Sequence, residues 1–323
     1  MGKQRTFASI AWQQKGKVTR RERFLAEMDA VVPWDRLRAL IAPHYPKPGR
    51  GRRPHELAVM LRLYFVQQWF NLSDPAAEDA LYDSESIRRF VGVELADDAL
   101  PDETTILRFR HLLERHQLTE QLFTAIRGLL EAKRLLLKTG TIVDATIISA
   151  PSSTKNATET RDPEMRQTRK GKNWYFGMKL HIGADPQGRV HHVIATDAAT
   201  ADLTQLPQLL HGAERDLYGD QAYWVEDHRQ HWRLSGGRYR VNRRGTRARP
   251  LTAYQKGINQ SRSRRRARGE HPFHVVKRLW GFLKTRYRGL AKNLARAYTM
   301  FGLANLYLVR RRLLPRGWNP CLT

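Results

Sequence analysis

Three acidic residues, Asp144, Asp220 and Glu270, stand where a carboxylate needs a purpose. Asp144 lies in the middle of an apolar, β-branched run, Ile142–Ile148, where an unpartnered acid is costly to bury. It needs a cation or a hydrogen-bonding role there, unless it sits on the solvent face of an alternating strand. Glu270 is the only acid between His228 and Thr323 and follows the basic run SRSRRRARG. It can hold a metal where a phosphate arrives, or pair with a neighbouring arginine. Asp220 comes after the apolar lead-in Leu217 and Tyr218 and before Gln221, Ala222 and Tyr223, as at the end of a strand. Asp185, Asp197, Asp202 and Asp216 compete for its part.

Isolated acids at element ends suit phosphodiester chemistry. Two divalent ions about 3.5 to 4 Å apart activate a water or hydroxyl and neutralise charge on the leaving oxygen. Magnesium prefers such hard oxygen ligands, and manganese can take its place, so two such ions are the expected cofactor. The other constellations are poorer. His271 and His274 form an HxxH without further thiolate or acid ligands at helical spacing. His181, His191 and His192 fall on one hairpin, where a surface or DNA-facing position is expected. No GxxxxGK[ST] loop and no GxGxxG follows a strand, so a nucleotide cofactor has no support.

The charge names a partner class. Of a net +26, the stretch from His228 to Thr323 holds +24, from 25 Lys and Arg against one acid. So basic a surface displaces counterions from phosphates, which favours DNA or RNA over membrane lipid. Arg264, Arg266, Lys277 and Lys284 in this stretch, with Lys179 on the hairpin, are the cations expected on duplex DNA. A basic nucleic-acid-binding protein without catalysis would carry the same charge.

These residues need elements to position them. Up to residue 137, apolar residues recur at helical spacing, as in Leu57, Met60, Leu61, Tyr64 and Trp69. Helices are expected over 21–31, 34–41, 55–70, 74–81, 84–90, 104–116 and 119–136, with Asp102 as an N-cap. The linker PKPGRGRRP, 46–54, carries four positive charges and is expected at the DNA backbone. A second unit, 138–314, opens with the strand TGTIVDATIISAP. A polar, mobile segment follows, then a hairpin about Pro186–Gly188, a helix over 202–214, a short strand into Asp220, a helix over 224–234 and a strand RYRVN. Past Glu270, Phe273, Val276, Trp280 and Leu283 mark an amphipathic helix, and another runs to about Leu314, leaving 315–323 as a tail. The alternation implies an α+β chain with a mixed sheet flanked by helices. The lone Cys321 excludes a disulfide framework, and the first thirty residues hold no apolar stretch of signal-peptide length, so a cytoplasmic location is expected. Thr299–Val309 falls far below the roughly 20 residues of a membrane span and reads as a core helix.

Several segments resemble bacterial transposases of the insertion-sequence-five family, within the DDE transposases and the RNase H-like superfamily. They include VDATIISAPSSTKN, RDPEMRQTRKGKNWYFGMKLHIGAD and RGEHPFHVVKRLWGFLKTRYRGLAKN, with GRRPHELAVMLRLYF, NLSDPAAEDALYDS and LPDETTILRFRHLLE in the helical part. The resemblance implies an RNase H-like domain in which Asp144, Asp220 and Glu270 are the metal-binding catalytic acids. The family's Arg-x3-Glu-x6-Lys arrangement falls on Arg266, Glu270 and Lys277, residues that would hold element-end DNA. Ser263 stands where the wider superfamily often has tyrosine, and Ala222 and Trp224 depart from the commoner D-x-G-Y form. Pro272 has no N–H, so Glu270 must lie at a helix start or a kink, a break that can take Arg266 off its face. Implied too are terminal inverted repeats and target DNA as partners, a homodimer on DNA, a nucleoid location and no membrane. The helix over 104–116 is the expected groove reader. A nuclease of the same fold without strand transfer is the near alternative.

Overall fold

The computed structural model describes residues 16–49, 53–96, 98–155 and 160–318. Lys3, Arg5, Lys15, Cys321, part of the 46–54 linker and most of the 315–323 tail lie outside them.

Seven α-helices precede the sheet among these residues: α1 Arg20–Val31, α2 Trp34–Ile41, α3 Leu57–Phe70, α4 Asp74–Asp83, α5 Glu85–Val91, α6 Glu103–Arg115 and α7 Leu118–Ala132. Local chemistry sets their ends. Thr19 and Glu22 form a capping box on α1, Ser73 caps α4, and Asp102 caps α6 by accepting from Thr105 N at 2.7 Å. α3 is apolar around most of its circumference and is therefore buried, with α2, α4, α5 and α6 about it.

The sheet comprises β1 Gly140–Ser149, β2 Arg166–Lys170, β3 Asn173–Ala184, β4 Val190–Asp197, β5 Asp216–Tyr218 and β6 Arg238–Tyr239. Its main order is β4-β3-β1-β5-β6, antiparallel across β4, β3 and β1 and parallel across β1, β5 and β6. That order and those directions are the RNase H-like arrangement. β2 pairs only with Asn173–Gly177 of β3, inside the stretch expected to be polar and mobile. Strand geometry is stabilised there by cross-strand pairing, which local composition does not reveal.

Beyond the sheet lie α8 Glu226–Leu234, α9 Ala253–Arg266, α10 Glu270–Phe273 and α11 Leu290–Leu313. α11 packs along α7, α1, α3 and β4, so the N-terminal helices and one sheet face share a continuous apolar core. Thr299–Val309 is buried within α11, and no helix among the described residues is long and apolar enough to cross a membrane. Asn305 of α11 brackets Val190 at the sheet edge, accepting from its N–H at 2.8 Å and donating to its carbonyl at 2.7 Å. A second cluster, with Val143, Leu217 and Tyr223, fills the opposite face.

Three expected elements differ. The helix over 202–214 is a 3-10 helix, Asp202–Leu209, because Pro207 inside it removes an N–H that an α ladder would use. The strand RYRVN forms a ladder only at Arg238–Tyr239, although Arg240 and Asn242 still donate to Leu217 and Gly219 carbonyls. The amphipathic helix after Glu270 is α-helical only to Phe273 and continues as a π-helix, His274–Leu279, with Leu283 exposed beyond it.

Candidate active site

Parallel pairing of β1 and β5 brings two acids together. The register matches Ile142 with Tyr218 at the end of β5, so Asp144 stands two residues further along β1 and Asp220 two residues beyond the last residue of β5. Neighbouring strands lie about 4.8 Å apart, and the two carboxylates line the same cleft. Gly219 makes the approach possible, since a Cβ there would meet Val143 and Tyr223 at 3.2 Å. Asp220 also caps the short 3-10 turn Gln221–Tyr223, accepting from Ala222 N at 2.8 Å. The Ala222 that departs from the commoner motif thus gives its backbone to orient the acid.

Glu270 arrives from the other side. Gly269 packs so closely on β1 that a Cβ would stand 2.7 Å from Ile142 Cγ2. A 3-10 turn, Ala267–Gly269, joins α9 to α10 without leaving helical backbone, and Pro272 falls in the first turn of α10. The expected separation of Arg266 from Glu270 therefore does not occur. Arg266 Nη2 lies 3.2 Å from Glu270 Oε1, and its Nη1 lies 3.4 Å from Asp144 Oδ2.

Asp144, Asp220, Glu270, Arg266 and Lys179 line one cleft of about 510 Å³. Burial pushes the Asp144 carboxyl up to about 6, against the pull of Arg266 and the Ala145 N–H, and the charges of Asp220 and Glu270 add to the rise. Burial likewise raises the Tyr223 hydroxyl, helped by Asp202, Asp144 and Asp220, and that buried hydroxyl has no hydrogen-bond partner among the described residues. Among the described residues, no three His, Cys, Asp or Glu side chains converge closely enough to form a metal cage as they stand. Arg266 holds Asp144 and Glu270 instead.

The other expected cations divide. Lys277 Nζ donates to Thr146 Oγ1 and Ile147 O, both at 2.9 Å, so it is tied to β1 beside the cleft. Burial lowers its pKa, and Lys170 and Arg278 lower it further. Lys179 Nζ pairs with Asp202 at 2.9 Å. Arg264 and Lys284 are exposed and do not line the cleft. Of the acids competing with Asp220, Asp202 also lines it, whereas Asp185 is buried in the hairpin turn, Asp197 holds its own turn and Asp216 is clamped by Arg238 and Arg240. Asp202 was legible in the sequence only as one of the competing acids, after the alanine-rich stretch that follows β4. Tyr223 had no such signal.

His181 and His191 are buried, not surface residues, because both faces of the sheet are covered by packed elements. Burial pushes the His181 imidazole down to about 4, and it donates to or accepts from Thr196 Oγ1 at 2.8 Å. His271 and His274 are exposed.

An RNase H-like sheet with one acid on its central strand, a second just beyond the parallel neighbour and a third at a helix start in the same cleft defines the class, an RNase H-like protein with an acidic cleft. Within it the chain belongs to the DDE transposase family: residues 136–306 match the Transposase DDE domain. Residues 13–112 match a further Transposase domain (DUF772), so both halves carry transposase signatures. A solved structure, the crystal structure of the Mos1 Strand Transfer Complex, shares 14% identity, covering 83% of this chain and 79% of that one at a TM-score of 0.26. So slight a likeness carries nothing about this chain.

Proposed function

We propose that this DNA transposase cuts and joins DNA at the ends of an insertion sequence of the insertion-sequence-five group, with Asp144, Asp220 and Glu270 as catalytic acids. The convergence of Asp144, Asp220 and Glu270 on one cleft carries the reading. The donor set suits a hard divalent ion, being oxygen ligands that include a buried acid under-neutralised by its cationic neighbour. Two magnesium ions, or manganese in their place, would be held by these acids and would supply activation of the attacking oxygen and neutralisation of the leaving one.

The chain's own residues do the remaining work. β1 and β5 fix the first two acids, and the α9–α10 junction sets the third. Arg266 offers a planar guanidinium suited to phosphate oxygens at the cleft. Arg264 and Lys284 present charge to the DNA backbone from outside it, while Lys277 stiffens β1 next to the reacting phosphate. Hydrolysis at an element end frees a 3′-hydroxyl, whose attack on a target phosphodiester is a second in-line transfer. Two ends must meet, which makes a homodimer on inverted-repeat and target DNA the active form.

Purified protein incubated with a labelled element end, target duplex and magnesium should cleave the end and then join it. Cleavage without joining would make it a plain nuclease. Binding without cleavage would leave only a basic nucleic-acid-binding protein.

A further inference from the structure

Away from the carboxylates, a cleft of about 280 Å³ is lined by Arg229, Arg243, Arg262, Trp224 and Tyr254. Three guanidiniums and two aromatic rings face one space. No acid occurs between Asp227 and Glu270 in the chain, and Glu226 on α8 pairs with Arg229. Among the described residues no carboxylate pairs with Arg243 or Arg262. Burial and the charges of Arg240, Arg243 and Arg229 all press the Arg262 guanidinium below its usual value, and while Glu226 balances Arg229, Arg243 and Arg262 face the space without a carboxylate of their own among the described residues.

The cleft is also built. Asn259 brackets the Arg243 backbone, accepting from its N–H at 2.9 Å and donating to its carbonyl at 3.0 Å. Arg262 Nη1 donates to Val241 O at 2.6 Å, and the Arg243 guanidinium lies 5.4 Å from the Trp224 ring centre. The capping box of Thr252 and Gln255 fixes the first turn of α9, where Tyr254 stands 78% exposed. A fixed, exposed ring among arginines is the combination that stacks a base while cations hold its phosphate.

We infer that this cleft holds one nucleotide of the DNA strand flanking the scissile bond, its phosphate on Arg243 and Arg262 and its base against Tyr254. The inference rests on the proposed transposase reaction for its partner. Its place follows from α9, where Arg262 precedes Arg266 by one turn, a rise of about 6 Å. That is about two nucleotide steps of roughly 3.4 Å, so a strand lying across the carboxylates passes this cleft.

The test uses the full chain and element-end duplexes carrying either one methylphosphonate or one abasic site at successive positions beside the cleavage point. Binding is measured for wild type, Arg243→Ala and Tyr254→Ala. At one position the methylphosphonate should weaken wild type roughly tenfold yet leave Arg243→Ala unaffected, and the abasic site should do the same for Tyr254→Ala. Modifications that weaken wild type and variants by equal factors at every position would overturn the inference. Because Tyr254 is exposed, its variant tests the idea even if Arg243→Ala fails to fold. Cleavage of the unmodified duplex by wild type, assayed in parallel, reports separately on the transposase reading.

Discussion

The Arg266 guanidinium reaches Asp144 across 122 residues of chain, Nη1 to Oδ2 at 3.4 Å, while its other terminal nitrogen holds Glu270. One planar cation therefore balances two of the three acids, and under the proposed reaction it is the group placed to meet phosphate oxygens. Arg266→Ala should lower single-turnover cleavage of element-end DNA by about 100-fold, the scale of losing one preorganised donor. Arg266→Lys should recover only part, since an ammonium lacks the two-pronged geometry. Unchanged cleavage in the alanine variant would remove Arg266 from the site.

Asp144→Asn, Asp220→Asn and Glu270→Gln should each abolish cleavage while leaving element-end binding largely intact. Calcium in place of magnesium should give the same separation in wild type, because it takes oxygen ligands in looser geometry. Full cleavage by any one variant would strike that residue from the catalytic set.

The exposed Arg264 and Lys284 and the tethered Lys277 should behave differently. Removing a phosphate contact lowers the slope of log affinity against log salt by about one unit, so Arg264→Ala and Lys284→Ala should each do so on duplex DNA. Lys277→Ala should change the slope less and cleavage more, because its ammonium holds Thr146 and Ile147 of β1. A full-unit slope change for Lys277→Ala with normal cleavage of bound DNA would place it on the phosphate instead.

Asp216 accepts from Arg238 and Arg240 at 2.7 Å. Burial alone would push its carboxyl up, but hydrogen bonds and charges from the two arginines outweigh that and hold it below the ordinary value. A depressed folded-state pKa gives stability that is complete above the unfolded value of about 3.9 and fades as pH falls through the folded one. Asp216→Asn should thus lower the thermal midpoint by a few degrees at neutral pH, with the gap to wild type closing in acid. A gap that persists undiminished at low pH would mean that Asp216 acts through shape.

Much of this was legible in the residues themselves. The N-terminal helices begin and end close to where caps and apolar spacing place them, since a helix is settled by contacts three and four residues apart and by its own termini. Glu270 stood out as the one acid in a basic third, and Asp144 as a charge in an apolar strand, because both are anomalies of composition. The +24 of that third gave the partner class for the same reason.

Tertiary structure decided which acids meet. Asp220 was one of several acids at element ends in the sequence, and the parallel pairing of β1 and β5 put it in one cleft with Asp144, as the same packing brought in Asp202 and buried Tyr223. It also made a strand of Arg166–Lys170, buried His181 and carried Arg266 to Asp144. Strand register and the direction of a long side chain depend on partners far along the chain, whose pairing follows from burying both sheet faces at once. Local sequence encodes the helices and the unusual charges; only the folded sheet encodes their meeting.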